Sequence, residues 1–470
     1  MGLATVPDAS TETTTDSERT SLDARIAQLI AAQEEVFLQR QPASAALVAR
    51  ARRSLAGGAT SNWQIAQPQA VWLSHGSGSK IYDVDGKEYV DLHGGYGVSL
   101  VGHAHPALVK AVADRVARGT HFAQPTEDAI VVAEELTRRF GLPLWRFGNS
   151  GTEATMDAVH LMRAATGRDL IIKVEGCYHG HHDSVEVSIL PELEDAGPAE
   201  RPVGVAGNTG IPQSVIDLVV VVGFNDADAV ARILAEHSGR VAGMIVEPVM
   251  MNAGIIPPEP GYLAAIRDLL HGAGALLAFD EVKTGLTVSP GGASAVYGVT
   301  PDIICLAKAM GGGLPVSAIG GTAEVMGLIA DGTYEQVGTF NGNPLSMAAA
   351  RATLLEALTP EAYARIERLR ALMHDRVTRV LRDNDLPWSV VTAGAKGCIS
   401  FLDRPVRNFR DFHDIDERLG HLLWLVQHNG GVFLPPWGKV EQWLLSVQHD
   451  DEDVDRFVAN VETFAALVKG

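Results

Sequence analysis

HGAGALLAFDEVKTGLTVSPGGASAVYGVTPDIICLAKAMGGGLP, residues 271–315, decides the fold predicted for this chain. It contains two apolar runs of buried-strand length, Ala275 to Phe279 and Ile303 to Ala307. The first run leads into Asp280 and the second into Lys308. Because ligands bind outside the carboxyl ends of strands in an α/β sheet, both side chains are expected in one crevice. A lysine held there can lose its proton through desolvation or a nearby cation and then form a Schiff base with an aldehyde.

The order of the motifs in this segment resembles that of a known family. DEVKTG, which begins at Asp280, is followed by AKAMGGGLP, and Lys308 lies 28 residues after Asp280. This arrangement resembles the core of the class III aminotransferases, most closely the glutamate-1-semialdehyde 2,1-aminomutase branch. The resemblance implies an α/β enzyme of PLP-dependent transferase fold type I, with a large domain on a mainly parallel sheet and a smaller α+β C-terminal domain. Taken singly, Lys308 could also be a solvated lysine at a strand end, and Asp280 a helix cap.

The resemblance assigns roles to this core. It implies pyridoxal 5'-phosphate (PLP) as cofactor, with Lys308 as the Schiff-base lysine and Asp280 paired with the pyridine nitrogen. A carboxylate keeps that nitrogen protonated, so the ring can accept electrons from the substrate carbanion. Lys283 stands where the aminomutase branch usually has an apolar residue. It lacks the preceding strand end and the following glycines, so Lys308 is predicted to carry the chemistry.

Composition indicates an ordinary soluble enzyme. The chain has 470 residues, of which 46% are hydrophobic, and a net charge of −19. The negative charge argues against nucleic acid or an anionic membrane as a partner. The three cysteines, Cys177, Cys305 and Cys398, are too scattered for a disulfide framework or a zinc site. No apolar run reaches membrane-spanning length and no secretion signal is evident, so we expect a cytoplasmic protein.

The chain is predicted to have four parts. Residues 1–20 are polar and are expected to form a disordered or loose arm. Residues 21–85 are expected to be a helical and hairpin segment that contributes to the small lobe. A large PLP-binding domain would span 86–345 and a small C-terminal domain 346–470. Strands and helices alternate from residue 218 to Lys308, which favours a mainly parallel sheet with right-handed crossovers.

A second motif, GNSGTEA at residues 148–154, precedes an apolar helical run. A Ser-Gly-Thr turn at a helix N-terminus offers N–H groups, hydroxyls and a favourable dipole to a phosphate. Many helices begin this way, so the motif alone is weak. The resemblance makes it the cofactor-phosphate loop, with Ser150, Gly151 and Thr152 as contacts. No GxGxxG follows a strand, which argues against a nicotinamide enzyme.

A third motif, KVEGCYHG at residues 173–180, joins a predicted strand to a polar loop. The resemblance places Tyr178 against one face of the pyridine ring and Val282 against the other, with His179 also at the cofactor. The alternative is a tyrosine in the core. The HGHHD run at 179–183 raises the possibility of a metal site. Its spacing suits neither one helical face nor a zinc pattern, so no metal is predicted.

A fourth motif, GTFNGNPLSMAAA, begins at Gly338. In the family this loop reaches across a dimer interface, and its threonine contacts the neighbour's cofactor phosphate. The resemblance therefore implies a homodimer in which Thr339 completes the partner's site. From the residues alone, an internal turn capped by Asn341 and Asn343 is equally possible.

The substrate is expected to differ from that of the aminomutases. In that branch an arginine in the loop corresponding to residues 60–64 holds the substrate carboxylate, whereas this chain has Gln64. A neutral amide cannot replace a charge-assisted bidentate contact, so carboxylate recognition should weaken by roughly 1.5 to 3 kcal/mol. Glu441 matches the substrate-side glutamate of the branch and favours an amine or hydroxyl on the substrate. Trp63 could line an apolar pocket or pack in the core.

Three hypotheses follow. The first is an aminotransferase that moves an amino group from a donor amine or amino acid to a ketone or aldehyde through a Lys308 Schiff base and pyridoxamine phosphate. The second is an aminomutase of the glutamate-1-semialdehyde type, in which one molecule is both donor and acceptor. The third is a PLP-binding protein without catalysis. Intact Lys308, Asp280, Thr152 and Tyr178 argue against the third.

Overall fold

The computed structural model describes residues 16–436, 439 and 442–469, with side chains from residue 23 onward. Its helices are α1 Asp16–Gln39, α2 Pro42–Ala51, α3 Gly94–Gly97, α4 Pro106–Val116, α5 Glu127–Phe140, α6 Gly151–Thr166, α7 Gln213–Ile216, α8 Ala227–Glu236, α9 Tyr262–Gly272, α10 Gly292–Tyr297, α11 Ala323–Ala330, α12 Pro344–Ala352, α13 Pro360–Asp383, α14 Phe409–His413, α15 Glu417–Asn429 and α16 Asp451–Lys469. Its strands are β1 Leu73–Ser77, β2 Lys80–Asp83, β3 Glu88–Asp91, β4 Leu144–Gly148, β5 Leu170–Val174, β6 Val219–Val222, β7 Val241–Val246, β8 Leu276–Asp280, β9 Ile303–Leu306, β10 Ser317–Gly321, β11 Ser389–Ala393, β12 Lys396–Ser400, β13 Val432–Phe433 and β14 Trp443–Leu444.

A seven-stranded sheet forms the centre of the fold. Its strand order is β4-β10-β9-β8-β7-β5-β6. All neighbours pair in parallel except β10, which runs antiparallel to both β4 and β9. The predicted α/β fold with a mainly parallel sheet is therefore confirmed.

The central strands are mostly apolar, as expected for a parallel sheet covered on both faces, with the buried Lys173 of β5 as an exception. β5, β7 and β9 are buried along their whole length. The predicted site residues lie at the carboxyl ends of these strands. Asp280 is the last residue of β8, and Lys308 follows β9 by two positions. β8 and β9 are neighbours in the sheet, with Asp280 opposite Cys305, so both ends open on the same edge.

Two smaller sheets flank the central one. The first has the order β1-β2-β3-β13 and joins an N-terminal hairpin to the C-terminal part of the chain, with Val432 opposite Val90. The second has the order β11-β12-β14. The predicted boundary between residues 85 and 86 falls in the turn between β2 and β3, so it divides one hairpin. The domain boundaries otherwise stay predictions.

The N-terminal arm expected at 1–20 lies mostly outside the described residues. Helix α1 begins within it, at Asp16. Farther along α1, Ile26 and Phe37 are buried, and Phe37 packs against Trp424 of α15. Among the described helices, none combines the length and apolar character needed to cross a membrane.

Candidate active site

A cavity lies at the carboxyl ends of β8 and β9. It encloses about 540 Å³ free of protein atoms, including its mouth. It brings together most of the residues predicted from separate motifs, which are Trp63, Gly151, Thr152, Tyr178, His179, Asp280, Val282 and Lys308. Four further residues complete the lining, namely Gly180, Glu247, Asn252 and Lys283.

Asp280 is held in one orientation by two donors. Its Oδ2 lies 2.8 Å from His179 Nδ1, and its Oδ1 accepts a hydrogen bond of 3.0 Å from the Val282 N–H. Both Asp280 and His179 are buried. His179 Nε2 is also buried and has no partner among the described residues. The pair therefore places a fixed carboxylate and an unsatisfied ring nitrogen at the floor of the cavity.

Lys308 occupies a strained turn directly after β9. Its φ angle is +46°, in the left-handed region that non-glycine residues seldom adopt, and Gly312 and Gly313 also have positive φ. The turn directs the lysine into the cavity beside Asp280. Desolvation lowers the pKa of Lys308, while the charges of Asp280 and Glu247 oppose that shift. Among the described residues, its Nζ makes no hydrogen bond, so the amine is available to a ligand.

The N-terminus of helix α6 forms one end of the cavity. Ser150 caps this helix: its Oγ accepts from the Glu153 N–H at 3.3 Å, and Glu153 Oε2 accepts from the Ser150 N–H at 3.1 Å. This capping box leaves the N–H groups of Gly151 and Thr152, in the first turn, without helical partners. Both residues line the cavity, whereas Ser150 is exposed outside its lining.

Two side chains narrow the cavity from different elements. Tyr178 is anchored through its N–H, which donates to Glu247 Oε1 at 2.8 Å. Val282 packs so closely on helix α6 that a Cβ at Gly151 would lie 2.9 Å from Val282 Cγ1. The ring centroids of Trp63 and Tyr178 lie 5.3 Å apart, and both side chains line the cavity.

Besides Ser150, two predicted contacts among the described residues are not part of this lining. Gln64 is exposed, and its Oε1 accepts from the Thr60 hydroxyl at 2.6 Å and the Thr60 N–H at 3.2 Å. Thr339 is exposed on the loop before helix α12, where Asn343 caps the helix by accepting from the Leu345 N–H. Glu441 lies outside the described residues. The roles of all three stay predictions.

The motifs assign no role to Glu247 and Lys283, which line the cavity, or to Lys396, which lies near Lys308 outside that lining. Glu247 directly follows β7, and a carboxylate at the end of a buried strand is the same signal that points to Asp280. The sequence marks Lys283 only as a lysine at a position where the aminomutase branch usually has an apolar residue. Lys396 begins β12 in a different sheet, and no local pattern connects it with the cavity.

The arrangement fits PLP. It offers an amine for the aldehyde at Lys308, a carboxylate for the pyridine nitrogen at Asp280, and free N–H groups at a helix N-terminus for the phosphate. Elsewhere, the His103 Nε2 lies 2.6 Å from Asp91 Oδ2. Within the described parts of the chain, no three His, Cys, Asp or Glu side chains are grouped closely enough to hold a metal ion.

Comparison with known proteins agrees with this geometry. The family model for class-III aminotransferases matches residues 64–458. Glutamate-1-semialdehyde 2,1-aminomutase 1 from Staphylococcus carnosus (strain TM300) is 39% identical over 391 residues, which cover 83% of this chain and 89% of the relative.

Solved structures extend the similarity over nearly the whole fold. An omega-transaminase from Sphaerobacter thermophilus superposes with a TM-score of 0.87 and 35% identity, covering 92% of this chain and 99% of that one. A glutamate-1-semialdehyde-aminomutase from Pseudomonas aeruginosa PAO1, solved in complex with PMP, has a TM-score of 0.86 and 30% identity, covering 95% and 99%.

Proposed function

The chain belongs to the class III aminotransferase family and is a PLP-dependent enzyme. We propose that it moves an amino group from a donor amine or amino acid to a ketone or aldehyde. One observation carries the proposal: the free amine of Lys308 shares a cavity with the fixed carboxylate of Asp280 and the first turn of helix α6.

Lys308 is proposed to move the proton of the reaction. PLP, when bound, supplies an electrophilic carbonyl carbon and an electron-accepting ring. Desolvation lowers the pKa of the Lys308 ammonium, so more of it is neutral than in water. A neutral Nζ can accept a proton from the substrate carbon and return it to a neighbouring carbon.

Asp280 is proposed to hold a proton on the ring nitrogen of the cofactor. Because His179 and the Val282 N–H fix both carboxylate oxygens, the side chain keeps its orientation without the cofactor. Preorganisation of this kind avoids the free-energy cost of reorienting a charged group during the reaction. The role of His179 is to position Asp280.

The remaining contacts are proposed to orient the cofactor. The N–H groups of Gly151 and Thr152 would hold the phosphate, with Ser150 maintaining the helix cap behind them. Tyr178 and Val282, which line the cavity from different elements, would flank the ring.

An aminomutase of the glutamate-1-semialdehyde type is the second candidate. The 39% identity to such an enzyme supports it. Gln64 argues against it, because its amide is neutral and already accepts two hydrogen bonds from Thr60.

We further propose a homodimer in which Thr339 acts across the interface. The supporting observation is a loop whose apolar side chains are largely exposed in the part of the chain that the structure describes. Val337 is 81% exposed and Phe340 58% exposed, on either side of Thr339. Burying such side chains against a second copy would stabilise the assembly by the hydrophobic effect.

The decisive experiment is a panel of amine donors mixed with the PLP-loaded enzyme, first without and then with a keto acceptor. For an aminotransferase, the donor alone converts the cofactor once, and turnover requires the acceptor. For an aminomutase, a single amino-aldehyde isomerises with no acceptor present. A complete lack of cofactor conversion across the panel would contradict both.

A further inference from the structure

Three lysines from three elements converge on the active site. Lys283 follows β8, Lys308 follows β9, and Lys396 begins β12. Lys283 and Lys308 line the cavity together, and Lys396 is only 2% exposed. A Cβ added at Gly97 would lie 3.8 Å from Lys308 Cδ and 3.9 Å from Lys396 Nζ, so these two side chains face the same point.

The nearby carboxylates offset this cluster only in part, since the charges of Asp280 and Glu247 oppose the lowering of the pKa of Lys283 and Lys308 without preventing it. Asp280 is engaged by His179 and a backbone N–H, as described above. Glu247 accepts from the N–H groups of Tyr178 and Met251, each at 2.8 Å. Lys283 Nζ donates to a neutral acceptor, the Met251 carbonyl, at 2.8 Å. In the part of the chain that the structure describes, none of the three lysines forms an ion pair with a carboxylate.

Three lysines face two carboxylates, and an excess of positive charge in a low-dielectric site is unfavourable, which lowers the pKa values of the lysines. Desolvation, followed by the charges of Lys396 and Lys308, lowers the pKa of Lys283 well below its ordinary value. Desolvation and then the charge of Lys308 lower the pKa of Lys396 to about 8. An anion bound among them would relieve this repulsion and favour the charged forms.

We propose that Lys283 and Lys396 bind the carboxylate of the substrate, which is therefore an amino acid or oxo acid rather than a simple amine. This inference rests on the proposed aminotransferase function and names its substrate class. The two lysines would bind the carboxylate in place of the arginine that the aminomutase branch uses and that Gln64 replaces here. Two ammonium groups act as separate point charges and do not require the planar two-point geometry of a guanidinium.

The geometry around the lysines suits this role. Lys308 must reach the carbon that carries the substrate amine, so a carboxylate near that carbon lies within the same small region. Lys283 lies three positions beyond Asp280, on the same cavity wall as Lys308, and Lys396 approaches from the β12 side near Gly97. A substrate carboxylate between them would contact two positive charges without displacing any hydrogen bond of Asp280 or Glu247.

The test compares substrates that differ only in the carboxylate. Lys283→Met and Lys396→Met are assayed as PLP-loaded enzymes with 3-aminobutanoate and with 2-aminobutane, in which a methyl group replaces the carboxylate. We expect kcat/KM for 3-aminobutanoate to fall roughly 10- to 100-fold in each variant, as for loss of a charged hydrogen bond. The loss for 2-aminobutane should be smaller, so the ratio of the two kcat/KM values should fall whatever effect the substitution has on the shared chemistry. Lys110→Met, at an exposed lysine on α4, is the control for removing a positive charge.

A second measurement does not depend on turnover. Butanoate is titrated into the holoenzyme by calorimetry, and each Met variant should weaken its binding by the same roughly 10- to 100-fold factor. Lys283→Arg and Lys396→Arg should restore part of the affinity. If a Met variant does not fold, the Gln variant at the same position replaces it in both measurements, since Gln keeps a polar end without charge.

The outcomes separate this inference from the proposed function. Equal losses for 3-aminobutanoate and 2-aminobutane, with unchanged butanoate binding, would overturn the carboxylate site. Butanoate binding that depends on the two lysines, in an enzyme that converts no donor, would retain the site and refute the aminotransferase proposal.

Discussion

His179 Nδ1 lies 2.8 Å from Asp280 Oδ2, and both side chains are buried beneath the cavity. The two residues are 101 positions apart in the chain: His179 lies on the loop after β5, and Asp280 ends β8. The contact fixes the carboxylate before any ligand arrives. The orientation of Asp280 is therefore set by the protein and does not depend on a bound cofactor.

Replacing His179 tests this positioning role. In His179→Leu, Asp280 loses a buried donor, which should cost about 1 to 3 kcal/mol and weaken PLP retention correspondingly. Cofactor absorbance after dialysis against graded PLP concentrations measures the loss. His181→Leu is the control, because that side chain is 79% exposed. Equal retention in both variants would show that His179 does not position Asp280 for the cofactor.

Lys308 is predicted to be the residue that bonds covalently to PLP. Reduction of the holoenzyme with borohydride, followed by peptide mapping, should place the label on Lys308 and not on Lys283, whose Nζ is held by the Met251 carbonyl. Lys308→Ala should lower turnover by about 10²- to 10⁴-fold, the usual size of a general acid–base contribution. A label on Lys283 would reverse the assignment.

The lysine cluster predicts a pH dependence for carboxylate binding. The pKa of Lys396 is lowered to about 8 by desolvation and by Lys308, while Cys398 opposes the shift. The ammonium is therefore charged below about pH 8 and loses its proton above it, whereas butanoate stays ionised. We expect the dissociation constant of butanoate to rise as pH increases through 8. Calorimetry across pH 6.5 to 9.5 measures it, with Lys396→Met as a variant that should lose most of this slope.

Mixed dimers test the proposed role of Thr339. Lys308→Ala and Thr339→Asp should each be poorly active alone, the second because a carboxylate repels the cofactor phosphate. If Thr339 acts across the interface, a heterodimer of the two variants contains one wild-type site and regains activity. If it acts within its own chain, every site carries a defect and nothing is regained. Separately tagged chains allow the heterodimer to be isolated and assayed.

Gly180 should tolerate no side chain. A Cβ there would lie 2.6 Å from Thr152 Oγ1 and 2.8 Å from Thr152 Cα, at a φ of +104°. Gly180→Ala should therefore destabilise the protein by about 1 to 3 kcal/mol, and Thr152 should move away from the phosphate position. Gly239→Ala is the control, since Gly239 has a φ of +73° but no atom within 4 Å of its added Cβ. Thermal unfolding of the holoenzymes should show the larger decrease for Gly180→Ala.

Much of the candidate site follows from local patterns in the sequence. Asp280 and Lys308 each come after an apolar strand, and the sheet brings the ends of neighbouring strands together. Gly151 and Thr152 begin an amphipathic helix whose cap is visible as Ser150 and Glu153. These assignments were possible because strand ends and helix starts depend on residues that are close in the chain.

The sequence by itself determined the family, the parallel sheet and the residues at its edge, because periodicity and short motifs are local. Only the tertiary structure decided that His179 holds Asp280 and that Lys396 reaches Lys308 from another sheet. These contacts join residues far apart in the chain. They depend on how separate sheets and loops pack together, and no local pattern encodes that packing.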